Sequence, residues 1–101
     1  MLLELTVIPA SRGRSLSGDL AEVIGLIDDS KLPYKVTEFG TLIEGSWEKL
    51  IDIAKKCHTA IKKKTDRVLM LIRLDDYDDR TDLLSTTIAH VEQHLGRSVK
   101  K

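Results

Sequence analysis

The sequence predicts an α+β fold, a four-stranded sheet with helices on one face, and three observations lead there. Short runs of β-formers alternate with stretches of helical apolar spacing. The runs end at proline or glycine, residues that interrupt a ladder or turn the chain. The chain has 101 residues, 42% of them apolar, which suits one domain over residues 1–101 with a single core and leaves no room for a second.

The first strand is read from Leu2-Leu3-Glu4-Leu5-Thr6-Val7-Ile8, which stops at Pro9, a residue with no N–H to give a ladder. Ala10 to Ser15 has a polar, basic loop composition, after which Leu16, Leu20, Val23, Ile24 and Ile27 recur at helical spacing. A first helix is therefore expected from about 16 to 29, capped by Ser15 or Ser17. Leu32-Pro33 breaks the chain, and Tyr34 to Phe39 alternates as a second strand before Gly40, which can take the backbone a tight turn demands. Thr41 to Glu44 returns as the third strand and completes a hairpin.

Ser46 is placed to cap a second helix whose face carries Trp47, Leu50, Ile51, Ala54, Cys57, His58 and Ile61, and Lys62 to Lys64 suit its negative C-terminal end. Arg67 to Leu74 is the most strand-like stretch, followed by the acidic loop 75–79. A last amphipathic helix carries Leu84, Ile88, Val91 and Leu95 and ends at Gly96. The order strand, helix, strand, strand, helix, strand is that of a ferredoxin-like βαββαβ sandwich, here with an additional C-terminal helix.

Sixteen basic residues balance sixteen acidic ones, so no overall field draws the protein to nucleic acid or to an anionic membrane. The single cysteine, Cys57, excludes an internal disulfide and favours a reducing compartment. The segment Leu2 to Pro9 is interrupted by Glu4 and far too short to span a bilayer. We expect a cytoplasmic protein.

Splitting each strand by its period of two separates the chemistry. One set, Leu3, Leu5, Val7, Tyr34, Val36, Thr41, Ile43, Val68, Met70 and Ile72, is almost wholly apolar and belongs under the helices. The other mixes Leu42, Leu69 and Leu71 with Glu4, Thr6, Lys35, Thr37, Glu44, Arg73 and Asp75. Monomers seldom leave such a surface bare. With the first strand between the third and fourth, Glu4, Thr6, Glu44 and Arg73 converge, either as an Arg73–Glu4 or Arg73–Glu44 ion pair in a subunit interface or as a polar pocket for a small ligand. The strand Tyr34 to Phe39, an edge in this topology, invites pairing, so a homodimer or homotetramer is expected.

The motifs Glu4-Leu5-Thr6-Val7-Ile8-Pro9, the hairpin Tyr34-Lys35-Val36-Thr37-Glu38-Phe39-Gly40-Thr41-Leu42-Ile43-Glu44-Gly45, and Arg73-Leu74-Asp75 followed by Asp82 resemble the small thiamine-binding proteins of the YkoF-like group. The likeness runs over nearly the whole chain, and the Gly40 to Gly45 piece is its most specific part. It implies a ferredoxin-like protomer that pairs through sheet edges into dimers and tetramers. It also implies binding of thiamine or its hydroxymethylpyrimidine half, with no cofactor and no catalytic step. From the matching motifs come Thr37, Thr41, Glu44, Arg73 and Asp75 as ligand-binding candidates. Glu4 can accept from an aminopyrimidine, Thr6 lies on the same strand face, and Ser15, Ser17 and Thr37 can supply hydroxyls. Where the family has a methionine before the hairpin glycine and a basic run after the fourth strand, this chain has Phe39 and Tyr77-Asp78-Asp79. An acidic loop there disfavours a phosphorylated ligand.

Other signals are weaker. His90 and His94 share one helix face but lack a metalloprotease pattern, and no metal site is expected. His58 and Cys57, adjacent on a helix, diverge by about 100° and do not face each other. Ser11-Arg12-Gly13-Arg14 lacks the glycines of a nucleotide loop, and the aspartates of 75–79 lack calcium-loop spacing. The competing functional class is a small enzyme or interaction module on the same scaffold. Against it stands the lack of an activated nucleophile or a paired acid and base in the sequence.

Overall fold

The computed structural model describes residues 1–10, 16–77 and 83–100. The elements follow in the expected order: β1 (Leu2–Pro9), α1 (Leu16–Asp29), β2 (Tyr34–Thr37), β3 (Gly40–Glu44), α2 (Trp47–Lys62), β4 (Val68–Asp75) and α3 (Leu83–Leu95). The sheet order is β2-β3-β1-β4, with every pairing antiparallel. Two strand–helix–strand halves interleave about β1, which is the ferredoxin-like arrangement, and α3 is the added C-terminal helix. Ser15 as a cap, the loop from Ser11 to Arg14, Asp78, Asp79 and Asp82 lie outside the described residues.

The second strand ends at Thr37, two residues before the sequence-based limit, because Thr37 pairs directly with Gly40 across a two-residue turn, Glu38-Phe39. Glu38 and Phe39 keep negative φ, so the unusual backbone falls on Gly40 at φ +149°. Thr37 Oγ1 accepts from Phe39 N–H at 3.2 Å and donates to Gly40 O at 2.6 Å, fastening the turn.

Leu3, Leu5 and Ile43 from the sheet meet Val23 and Ile27 of α1 and Leu50, Ile53, Ala54, Cys57 and Ile61 of α2 in one core. The buried stripes are rotated from those read in the sequence. Leu20 and Trp47 stand about half exposed, while Asp19 is buried. The rotation is compensated by charge: Lys64, following α2, reaches back to Asp19 at 3.6 Å and pairs with Glu22. A buried carboxylate is tolerable only with such a partner. Burial pushes the Cys57 thiol up to about 11, so it packs as a protonated, unreactive small side chain.

Ser46 has extended backbone (φ −75°, ψ 162°) and its side chain accepts from Lys49 N–H at 3.3 Å, as an N-cap should. Ser46→Ala is expected to cost about 1 kcal/mol of stability, read as a shift in the urea midpoint at constant m-value.

The third helix extends away from the sandwich. The chain measures 48 × 29 × 20 Å, and its radius of gyration of 15.2 Å exceeds the value of about 13 Å for a compact chain of this length. Val91 and Leu95 remain about half exposed. Among the described residues no helix is long and apolar enough to cross a membrane.

Candidate functional site

Both helices of the sandwich lie on one side, leaving the opposite sheet face open except at Glu44, where α3 begins. Register fixes what lies there. Lys35, Leu42, Glu4 and Arg73 form one row across the four strands, Glu44, Leu2 and Asp75 the row beside it, and Thr37, Gly40, Thr6 and Leu71 the row on the other side. The face is therefore graded. Charged groups gather where β1 begins and β4 ends, while the other end presents Leu69 and Leu71 beside the exposed turn residue Phe39.

At the polar end is a hollow of about 340 Å³ lined by Leu2, Glu4, Leu42, Arg73, Leu74 and Asp75. Its centre is an ion pair between directly opposed residues. Arg73 donates from both Nε and Nη2 to Oε1 of Glu4 at 2.8 Å, leaving Oε2 of Glu4 outside the pair. With the Arg73 side chain 79% exposed and that of Glu4 19%, the pair adds little stability, about 0–1 kcal/mol. It holds Glu4 in one orientation. Asp75 is exposed and has no ion-pair or hydrogen-bond partner among the described residues. It thus brings the uncompensated negative charge to the hollow.

The remaining sequence candidates divide. Glu44 is buried, and its Oε1 accepts from Leu84 N–H at 3.2 Å in the first turn of α3. A carboxylate at a helix N-terminus is favoured by the unsatisfied N–H groups and the dipole. Glu44 therefore anchors α3 beside the open face. Glu44→Gln is expected to loosen this anchor by about 0.5–1 kcal/mol, seen as faster hydrogen exchange at α3 amides while the sandwich keeps its protection. Thr6 Oγ1 donates to Phe39 O at 2.9 Å, so Thr6, like Thr37, fastens the hairpin while remaining on the open face. Thr41 does not reach this face: it is 3% exposed and pairs with Leu5 and Val36 on the helix-covered side. The physical reason is the pleat, which sends Leu42 and Thr41 to opposite faces. The Ser17 side chain lies outside the described residues. Its helix begins after the Pro9 end of β1, whereas the hollow lies at the Leu2 end.

The sequence reading missed Leu2, although the period of two extends back to it from Glu4. It also missed the Leu84 N–H that engages Glu44, for which no local pattern exists. Among the described residues no group of three or more His, Cys, Asp or Glu side chains is placed to hold a metal.

Several known proteins share this chain's sequence and fold. UPF0045 protein YqgV of Bacillus subtilis is 31% identical over 100 residues, covering 93% of this chain and 96% of its own. The crystal structure of the MJ1052 protein of Methanocaldococcus jannaschii superposes with a TM-score of 0.76 at 23% identity over 94% of each chain. That of a Thermotoga maritima protein assigned provisionally to thiamine biosynthesis or salvage gives a TM-score of 0.73 at 20% identity, covering 85% of this chain and 94% of the other. The family model described as thiamine-binding protein matches residues 3–92. The chain belongs to the thiamine-binding protein family.

Proposed function

We propose that this protein binds thiamine or its hydroxymethylpyrimidine half in the hollow at the polar end of the open face, as a cytoplasmic homo-oligomer, without transforming it. The observation that carries the reading is the hollow itself, where an oriented glutamate and an unpaired aspartate stand among leucines. An aminopyrimidine presents an amino donor next to a ring-nitrogen acceptor. Oε2 of Glu4 accepts from the amino group, and Arg73, only partly engaged by Glu4, donates toward the ring nitrogen. Asp75 offsets the positive thiazolium. Leu2 and Leu42 bury the ring edges. Glu44 acts one step removed, by holding α3 next to the site.

A second copy covers the rest of the face. Leu69, Leu71 and Phe39 are too apolar to stay in water, and the α3 stripe is likewise uncovered within one chain. Light scattering at micromolar concentration should return at least twice the chain mass of 11.3 kDa; a clean monomer would remove this part of the reading.

The central test is a thermal-shift series with thiamine, hydroxymethylpyrimidine and the thiamine phosphates. A ligand selective for the folded state raises its apparent stability by about 2.7 kcal/mol at a hundred times its Kd. Thiamine and the pyrimidine should raise Tm, and the phosphates less, since Asp75 and Asp76 repel them. No shift with any of these ligands would reject the proposal.

A further inference from the structure

The molecule has a second concave region, on the other side of the sheet and independent of the hollow just described. Helix α2 packs more extensively over β1 than over β4, and the outer strand's helix-facing side chains are incompletely roofed. Met70 is half-buried and Ile72 is 43% exposed. Between them and Ile51 and Ala54 of α2 runs a groove of about 330 Å³, with Lys55, His58 and Thr59 on its rim. A smaller hollow of about 220 Å³ continues from it, sharing His58 and Thr59 and adding Lys62 and Lys63.

The floor of this groove is aliphatic and its rim is cationic or neutral. No acidic side chain among the described residues lines either part. The nearby charges are already allotted in a way that leaves the rim positive. Asp52 is paired with Lys56 at 3.1 Å, and Lys62 Nζ is spent on the carbonyl of Asp66 at 2.7 Å. The side chains of Lys55 and Lys63 have no ion-pair or hydrogen-bond partner among the described residues. A chain with equal numbers of acidic and basic residues has here concentrated positive charge beside exposed apolar surface.

We propose that the groove between α2 and β4 binds an amphipathic organic anion, its apolar body lying on Met70 and Ile72 and its anionic head meeting the ammonium groups of Lys55 and Lys63. The apolar floor supplies affinity through area removed from water, and the cationic rim selects the sign of the head group. His58 and Thr59, which line both parts, add hydrogen-bonding groups. The site shares no lining residue with the hollow on the open face, so the two are occupied independently.

Sodium decanoate, below its micelle concentration and at low salt, is the probe. Titration calorimetry should find one decanoate per chain, with decyltrimethylammonium at least tenfold weaker and acetate without measurable heat. The double variant Lys55→Glu/Lys63→Glu, both residues being exposed, should keep the wild-type melting curve, lose decanoate affinity at least tenfold and retain its response to thiamine. Ile72→Glu should weaken decanoate comparably from the floor side. Equal affinity for the anion and the cation, or unchanged decanoate affinity in the double variant, would overturn the proposal. So would a change in particle mass in that variant without a change in affinity, which would assign the groove to a contact between copies.

Discussion

Gly40→Val is expected to destabilise the protein by about 2–4 kcal/mol, the combined scale of a disfavoured backbone region and an overpacked contact. Gly40 stands at φ +149°, and a Cβ there would lie 2.7 Å from Thr6 Oγ1, 3.0 Å from Leu5 O and 3.2 Å from Glu4 Cγ. The carbonyl of Leu5 belongs to the central strand and cannot retreat without breaking the sheet. Thr6 is tied to the carbonyl of Phe39, so its movement would release the turn as well. A β-branched side chain enlarges each clash. Gly25, inside α1 with nothing within 4 Å of its would-be Cβ, is the natural control: Gly25→Ala should raise stability by about 0.5–1 kcal/mol through helix propensity. Urea titration of the two variants gives opposite shifts if the hairpin is as described. An unmoved midpoint for Gly40→Val would contradict it.

For the ligand, the largest effect is expected at Asp75. Asp75→Asn should weaken thiamine binding by about 1–3 kcal/mol, the range for a lost charge-assisted contact. Because Asp75 is exposed and unpartnered among the described residues, the melting temperature of the free protein should not move. The neutral pyrimidine half has no thiazolium to lose, so its affinity should change much less in the same variant. Glu4→Gln should weaken both ligands, since the amino group they share is the donor. Calorimetry with the two ligands and two variants separates a charge contact at Asp75 from a hydrogen bond at Glu4. Thiamine affinity unchanged by Asp75→Asn would remove that residue from the site.

What the sequence determined by itself is the part of the protein governed by local rules. Strand and helix identity followed from periods of two and 3.6. Gly40 and Ser46 marked a turn and a cap because the backbone needs a residue without a Cβ at the first and a side-chain acceptor at the second. The split of each strand into two faces identified the row containing Glu4 and Arg73, and one of the two ion pairs it allowed, Arg73 with Glu4, is the one formed. The period places Thr41 on the covered face and the structure keeps it there, away from the open-face candidates with which motif likeness groups it.

Only the tertiary structure decided how the helices turn on the sheet and where Glu44 points. The periodicity of α1 allowed Leu20 inward, but Lys64, 45 residues beyond Asp19 along the chain, made it possible to bury Asp19 instead and rotate the stripe. Glu44 stands among the ligand candidates through the matching motif and its place on the second strand face. A donor to it is the N–H of Leu84, and no pattern around Glu44 encodes that contact, because a backbone N–H has the same sequence signature at every residue but proline. The position of α3 has the same origin: its apolar stripe was legible in the sequence, but whether one chain can cover that stripe depends on the packing of elements distant in sequence.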